Sequence, residues 1–438
     1  MGPSDTEPVY AQATAPVQPQ SDEDGIMREN DWVIFQMASG KAKLARLALE
    51  ATIDFGKFGR FKARELVGLP FDMPYEIDNK SHVHPAVRSA ILGHSFDVQA
   101  DKDANNQKIQ DNGRSQKLTL EEIERLKEEM IAGHANATEV IGKILENSTS
   151  YALKTTFAKE KYVRRKQKKF SRIFHPIRPT ARTICHHLSQ KVPTKGLELR
   201  LDTLTQLLSL SNVRAGSRPL LVDSTAGLVA ASLAERMGGH GVIYSIHDTE
   251  SNTLDCLRYL KWPRNAPDML CHLKWSFLAE TPQTVGEKDF VPRKDFQLSE
   301  EAQRLHDQRV AERRARHRVA YQEIVTERRC DALVVASYFD PTMVVERLLP
   351  FLAPSSPIVI YSPHKELLTE CFTALRASPE VINTQLTESW IREYQVQSGN
   401  SAGSHPLMMM SGTGGFLLSG VKVTPSSSAP STPRTSSP

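Results

Sequence analysis

The chain has 438 residues, of which 39% are hydrophobic and 24% charged, and its net charge is only +4. That length accommodates two domains with buried cores, and so small a net charge means that any affinity for a polyanion must come from local patches. No run approaches eighteen consecutive apolar residues, and the first residues lack the basic and apolar regions of a secretory leader, so neither a membrane-spanning helix nor a signal peptide is expected.

Residues 1–29 are rich in Pro, Gln, Ser and acids, and residues 424–438 in Ser, Pro and Thr; both read as disordered tails. From Asp31 the pattern is β. Trp32–Phe35, Leu44–Leu49, Thr52–Phe55, Gly56–Phe61 and Tyr75–Ile77 are short apolar runs broken by Gly, Pro and Asp, which predicts a small β-barrel over 30–117. Residues 98–117 are polar and loop-like. A helical, basic segment over 118–195 follows. Thr119 precedes an acidic first turn and the helical spacing Ile123, Leu126, Met130, the signature of a capped helix. A second helix is predicted over Ala137–Asn147, with Val140, Ile141, Ile144 and Leu145 as its buried stripe, and a third over Phe157–Lys169.

From Gly196 to Val423 the pattern becomes α/β. Pro219–Asp223, Gly241–Ile246, Asp331–Ala336 and Pro357–Ser362 read as buried strands. Helices are expected at Ala226–Met237, Thr249–Leu260 and Glu366–Arg376. Thr384–Glu388 and Pro406–Val423 read as extended, the latter with a Gly-rich break at Gly412–Gly415. Apolar strands alternating with helices predict a doubly wound, Rossmann-like sheet. A highly charged insertion around 280–328 should contain a long helix, 298–329, with a solvated face. The five cysteines are dispersed and fit reduced thiols. Cys185-His186-His187 looks like a metal motif, but adjacent residues rarely converge on one ion and no second ligand cluster completes it, so no metal site is expected.

In such a sheet a nucleotide-like cofactor sits at the carboxyl ends of the strands, over a Gly-rich turn after the first strand and beside an acid ending the second. Here the turn reads Asp223-Ser224-Thr225-Ala226-Gly227, with one glycine, and Ser245 stands where an acid would be most useful, Asp248 lying further along. These residues predict a degenerate cofactor loop. The C-terminal half resembles the paired subunits of the eukaryotic tRNA (adenine-58) N1-methyltransferase. The catalytic paralogue of that family carries Glu-x-Gly-x-Gly-x-Gly and Asp-[Ile/Leu]-Pro-x-Pro motifs. Against the second motif this chain reads Ala336-Ser337-Tyr338, so Ala336 replaces the catalytic Asp, and Asp340 is displaced by four residues. An alanine relays no proton. Gly59–Ile77, Leu145–Thr149, Lys154–Lys166, Trp390–Val396 and Met410–Phe416 resemble the non-catalytic partner itself, in order, from about 31 to 423. The resemblance implies no catalytic residues and no cofactor in this chain. It further implies a catalytic paralogue that binds S-adenosyl-methionine, a heterotetramer with two copies of each subunit, tRNA as the RNA partner, a nuclear location, and a subunit interface near Gly412–Phe416. The alternatives are an independent RNA-binding or translation-associated factor, and a degenerate but active methyltransferase.

The segment 159–172 holds eight basic residues and one acid: Lys159, Lys161, Arg164, Arg165, Lys166, Lys168, Lys169 and Arg172, with Glu160. Such density attracts phosphate, although it also fits a solvated helix or a nuclear-import signal. Helical spacing places Lys161, Arg165, Lys168 and Arg172 on one side, and Tyr162 and Phe170 either stack on bases or simply pack. Lys57, Arg60, Lys62 and Arg64 form a weaker candidate patch. Reading adenine N1 requires exposing a base held in folded tRNA, and a subunit gripping the RNA body would offset that cost.

Overall fold

The computed structural model describes residues 25–78, 80–86, 116–132, 137–248, 254–260, 269–280, 300–396 and 403–425. Most of both expected tails, of the polar stretch 98–117 and of the first part of the insertion lies outside them. The chain divides into two compact units, one ending at Pro176 and one running from Ile177, with Trp32–Ile34 and Ala42–Leu44 counted in the second.

The first unit holds most of a five-stranded sheet. Its strands are β1 (Trp32–Met37), β2 (Ala42–Arg46), β5 (Tyr75–Ile77), β6 (Val83–Pro85) and β7 (Ile173–Ile177), in the order β2-β1-β7-β5-β6; β3 (Thr52–Asp54) and β4 (Arg60–Lys62) form a separate antiparallel hairpin. The expected barrel is therefore, among the described residues, an open sheet plus a hairpin. Aromatic packing inside this unit does what a closing ladder would. Phe35, Phe55, Phe61 and Phe174 meet with centroids 5.2–6.2 Å apart, and the hairpin turns Ile53 and Phe61 inward. The amino-terminal boundary also differs from expectation. Met27 is fully buried and its N–H donates to Leu69 O at 2.8 Å, so Gly25–Glu29 is structured rather than part of a tail, because Ile26-Met27 supplies an apolar pair to bury.

Helices α1 (Leu120–Ala132), α2 (Ala137–Glu146), α3 (Thr149–Ala152) and α4 (Thr156–Phe170) belong to this same unit. Thr119 and Glu122 exchange the reciprocal bonds of a capping box, 2.8 and 3.2 Å, at the start of α1. Val140, Ile141, Ile144 and Leu145 of α2 pack on Leu126, Val163 and Phe170. Thr119→Ala should cost about 1 kcal/mol, read as a small drop in the unfolding midpoint of the full chain.

The second unit holds a seven-stranded sheet. Five parallel strands, β8 (Pro219–Asp223), β9 (Ile243–His247), β10 (Leu270–Lys274), β11 (Ala332–Ala336) and β12 (Pro357–Ser362), are joined by β13 (Val381–Glu388) and β16 (Phe416–Lys422) in the order β10-β9-β8-β11-β12-β16-β13, β16 running antiparallel to both neighbours. Between β13 and β16 a small hairpin, β14 (Tyr394–Val396) with β15 (Ser404–Pro406), forms an arm. The order reverses between β8 and β11, where an open α/β sheet offers its crevice. Alternate residues feed two cores. Leu221, Val334 and Val359 face α5 (Ala181–Lys191), α6 (Leu201–Leu210) and α7 (Leu228–Met237). Leu220, Leu333 and Ile358 face α8 (Glu300–Tyr321), α9 (Pro341–Leu348) and α10 (Lys365–Ala377).

Two expectations shift here. The domain boundary falls at 176/177 rather than 195/196, because α5 buries Ile184, Cys185 and Leu188 in the second unit's core. The end of the charged insertion is likewise built into the fold, not merely solvated. His317, Ala320 and Ile324 are buried, and Glu323 accepts from the Tyr244 hydroxyl and, at 3.1 Å, from Arg218 Nε.

Candidate functional site

At the carboxyl ends of β8 and β11 the loop Asp223–Gly227 is held by the chain's own groups. Asp223, buried at the end of β8, accepts from Thr225 N and the Thr225 hydroxyl through Oδ1, both at 2.6 Å, and from Ala230 N through Oδ2 at 2.9 Å. Burial pushes its carboxyl above the usual range against the pull of those hydrogen bonds. Both oxygens are thus committed to shaping the turn into α7. Ala226 and Gly227 have φ of +56° and +82°, a left-handed pair. Gly227 is held against another stretch of chain: a Cβ added there would lie 2.8 Å from Leu254 Cα. Cys256 N donates to Ala226 O at 3.0 Å, so the turn Asp255–Arg258 is fastened over the loop. The expected helix Thr249–Leu260 is, over its described part, this single 3-10 turn. Ser224 N donates to Ala336 O at 2.8 Å, joining the loop to the next strand.

Asp223, Gly227 and Ala336 therefore meet at one crevice. Ser245 does not join them. It pairs with Leu221 in mid-sheet, fully buried, while His247 ends the strand and exposed Asp248 follows. The position for an acid at the strand end is that of His247-Asp248, two residues beyond where the sequence pattern placed it. Ala336 lies fully buried between Asp223 and Tyr361. Asp340 spends Oδ1 on capping α9, accepting from Thr342 N and Met343 N at 2.8 and 3.0 Å. Burial pushes the Cys185 thiol up to about 12, it donates to Leu199 O, and no group of three metal-ligating side chains occurs among the described residues.

The basic segment forms α4. Val163 and Phe170 face the helical core, so Phe170 packs rather than stacks on a ligand. Lys161, Arg165 and Lys169 are exposed, and Lys159 and Lys166 half-buried. The side chains of Arg164 and Lys168 lie outside the described residues. Lys166 Nζ sits 5.0 Å from the Tyr162 ring centroid and Lys159 Nζ 5.9 Å from that of Tyr151, so two aromatic faces already carry cations. Arg172 does not share the face of Lys161 and Arg165. The helix ends at Phe170, and Arg172 lies in the field of Glu76 and Asp78, which oppose the lowering of its pKa by burial. The weaker patch is partly spent as well. Lys62 Nζ donates to Glu50 O at 2.9 Å, Arg64 lies 3.9 Å from the Glu50 carboxylate, and Lys57 Nζ sits 4.9 Å over the Phe58 ring.

The Asp202–Arg200–Thr203 cluster at the root of the β14–β15 arm has no sequence signal. Asp202, buried, accepts from Arg200 Nε (3.1 Å) and Ile391 N (2.9 Å) and pairs with Arg200 Nη2 at 3.0 Å; Arg200 Nη2 also donates to Ile391 O at 2.7 Å. Thr203 bonds both Ser389 and Gly414 O, at 2.5 Å each. Gly414 is packed so closely that a Cβ would lie 2.0 Å from Ser389 O, and one on Gly415 2.5 Å from the Tyr361 ring. The Gly-rich break is thus the foot of an arm on which Trp390, Ile391, Tyr394, Met408 and Met409 are exposed.

The family model of the Gcd10p family matches residues 26–314. The chain belongs to this family. Among curated Gcd10p-type relatives, the mouse (Mus musculus) protein named tRNA (adenine(58)-N(1))-methyltransferase non-catalytic subunit is 33% identical over 374 residues, 73% of this chain and 74% of its own length. The protein of the same name from Schizosaccharomyces pombe is 28% identical over 435 residues, 91% and 92% of the two chains. Among solved structures, a Thermotoga maritima SAM-dependent O-methyltransferase aligns with TM-score 0.49 and 10% identity over 92% of this chain and 97% of its own. The Aquifex aeolicus tRNA (m1A58) methyltransferase aligns with TM-score 0.43 and 13% identity over 91% and 99%.

Proposed function

We propose that this Gcd10p-family chain is the non-catalytic, tRNA-holding subunit of the methyltransferase that modifies N1 of adenine 58, acting beside a catalytic paralogue that binds S-adenosyl-methionine. One observation carries the reading: the loop that would cradle a methyl donor is engaged by the chain's own contacts. Asp223 spends both oxygens on its own turn, the one remaining glycine abuts Leu254, and Ala336 has no proton to relay. These residues do not fit adenosyl-methionine, and no chemical step is assigned to this chain. Its contribution is grip and placement. Lys161 and Arg165, exposed one helical turn apart on α4, meet phosphate, while the chemistry belongs to the partner. The names of the relatives, tRNA methyltransferase non-catalytic subunits, support the same assignment. We place the complex in the nucleus as a heterotetramer with two copies of each subunit.

The deciding measurement is methyl transfer to tRNA by each subunit alone and by both together. Activity is expected only from the pair. Turnover by this chain alone would make it a degenerate enzyme, and failure to co-purify with a methyltransferase would make it an independent RNA-binding factor. For the RNA grip, Lys161→Glu with Arg165→Glu should weaken tRNA binding about tenfold and lower the salt slope by about two. An unchanged affinity across a salt series would remove α4 from the interface.

The docking site for the catalytic paralogue is proposed at the β14–β15 arm, where Ile391 is 60% and Met409 96% exposed beside Trp390 and Tyr394. Met409→Asp should reduce co-purification of the paralogue while leaving the melting temperature of the isolated chain unchanged.

A further inference from the structure

Beyond the basic helix, the crevice carries at its rim an aromatic ring that the packing leaves mostly exposed. Tyr338 follows β11 by two residues and is 70% exposed. An exposed tyrosine ordinarily swings freely, but this one is held: its hydroxyl donates to Thr194 O at 2.9 Å. Its neighbours in sequence are pinned too. Phe339 turns inward onto Trp275, with centroids 6.1 Å apart, and Asp340 caps α9. The ring is therefore fixed in place while most of its surface faces solvent, which lowers the entropic cost of any contact it makes.

Cations follow from its anchor. Lys195 follows the residue that anchors the hydroxyl and is bound to Asp255 at 2.6 Å; Arg258, 77% exposed, touches the same carboxylate at 4.0 Å. Asp255 neutralises one of the two positive charges and leaves the other, with most of the Arg258 guanidinium donors, open to solvent. A fixed aromatic face flanked by excess positive charge is the chemistry that binds unpaired nucleotides: the ring takes the base, the cation the phosphate.

We propose that Tyr338, with Lys195 next to its anchor and Arg258 on the same carboxylate as Lys195, is a stacking platform for an unpaired nucleobase of the RNA this chain holds. A pseudo-active-site mouth would then serve as a second RNA contact, in a different unit of the chain from α4. The proposal rests on the tRNA-binding reading for its ligand, but its test is separable. The probes are folded tRNA and an unstructured single-stranded RNA oligonucleotide, titrated by anisotropy against the full chain. Tyr338→Ala should weaken binding of the oligonucleotide about tenfold without altering the salt slope, because a stacking contact releases no counterion. Tyr338→Trp should retain affinity, and Arg258→Gln should lower the salt slope by about one. Equal binding by wild type and Tyr338→Ala on both probes overturns the platform, whatever α4 does. So does an effect of Tyr338→Ala on paralogue co-purification with RNA affinity intact, which would make the ring a protein contact. Loss of RNA binding in the α4 variant with Tyr338→Ala unaffected keeps the tRNA reading and removes only this site; the reverse result keeps the platform and removes α4.

Discussion

Gly227→Val should destabilise the chain by roughly 3 kcal/mol, seen as a lower denaturant midpoint with an unchanged slope. Two costs combine. At φ +82° an L side chain is strained, and the new Cβ would enter the space of Leu254 Cα at 2.8 Å, where the neighbour is backbone and cannot rotate away. The result also bears on function. In a working cofactor loop, glycine permits a ligand to approach; here it permits Leu254 and the turn Asp255–Arg258 to approach. A loss below 1 kcal/mol would mean that this segment swings off the loop readily, and its contact with the loop would no longer support a non-catalytic role.

Asp202→Ala is the second large effect, also about 3 kcal/mol. It strips the counter-charge from Arg200, whose side chain is only 18% exposed, and leaves Ile391 N without its acceptor. Because Ile391 belongs to the arm, capture of the catalytic paralogue should fall with stability. Met409→Asp should separate the two, weakening capture alone. If Asp202→Ala lowered stability yet left capture intact, the arm would not be the docking element.

Periodicity revealed four of the five parallel strands, all but β10, together with α1, α2 and α4, since each carries a single repeat: buried runs for β8, β11 and β12, and a capped amphipathic pattern for α1. Strand β7 was hidden. Ile173-Phe174-His175-Pro176-Ile177 contains a proline and follows directly on the basic run, so local signals argue against the strand that lies between β1 and β5. Among the described residues the β3–β4 hairpin meets its sheet through phenylalanine rings rather than through hydrogen bonds, and ring packing leaves no period to read. At the crevice, the missing glycines and Ala336 were legible as residue types. The misplacement of Ser245 was not, because register across β8 and β9 fixes which residue reaches the strand end and a single strand does not encode it. The Asp202–Arg200–Ile391 cluster joins residues 189 positions apart, a distance over which no motif speaks.

The position of β16 has a consequence for how the protein is made. Phe416–Lys422 lies between β12 and β13, pairing with both, although both precede it in the chain. A nascent chain that has emerged only through Glu388 has all the other strands of this sheet but lacks the one that joins β13 to it, and the polar edge of β12 stays unpaired until the last of these residues leaves the ribosome. The second unit consequently completes late, with an interval in which an exposed strand edge invites pairing with other chains. Early release anywhere before Phe416 should yield aggregation rather than a smaller folded protein, so partner capture by the arm, which also lies in this late segment, has little opportunity to begin before synthesis is nearly complete.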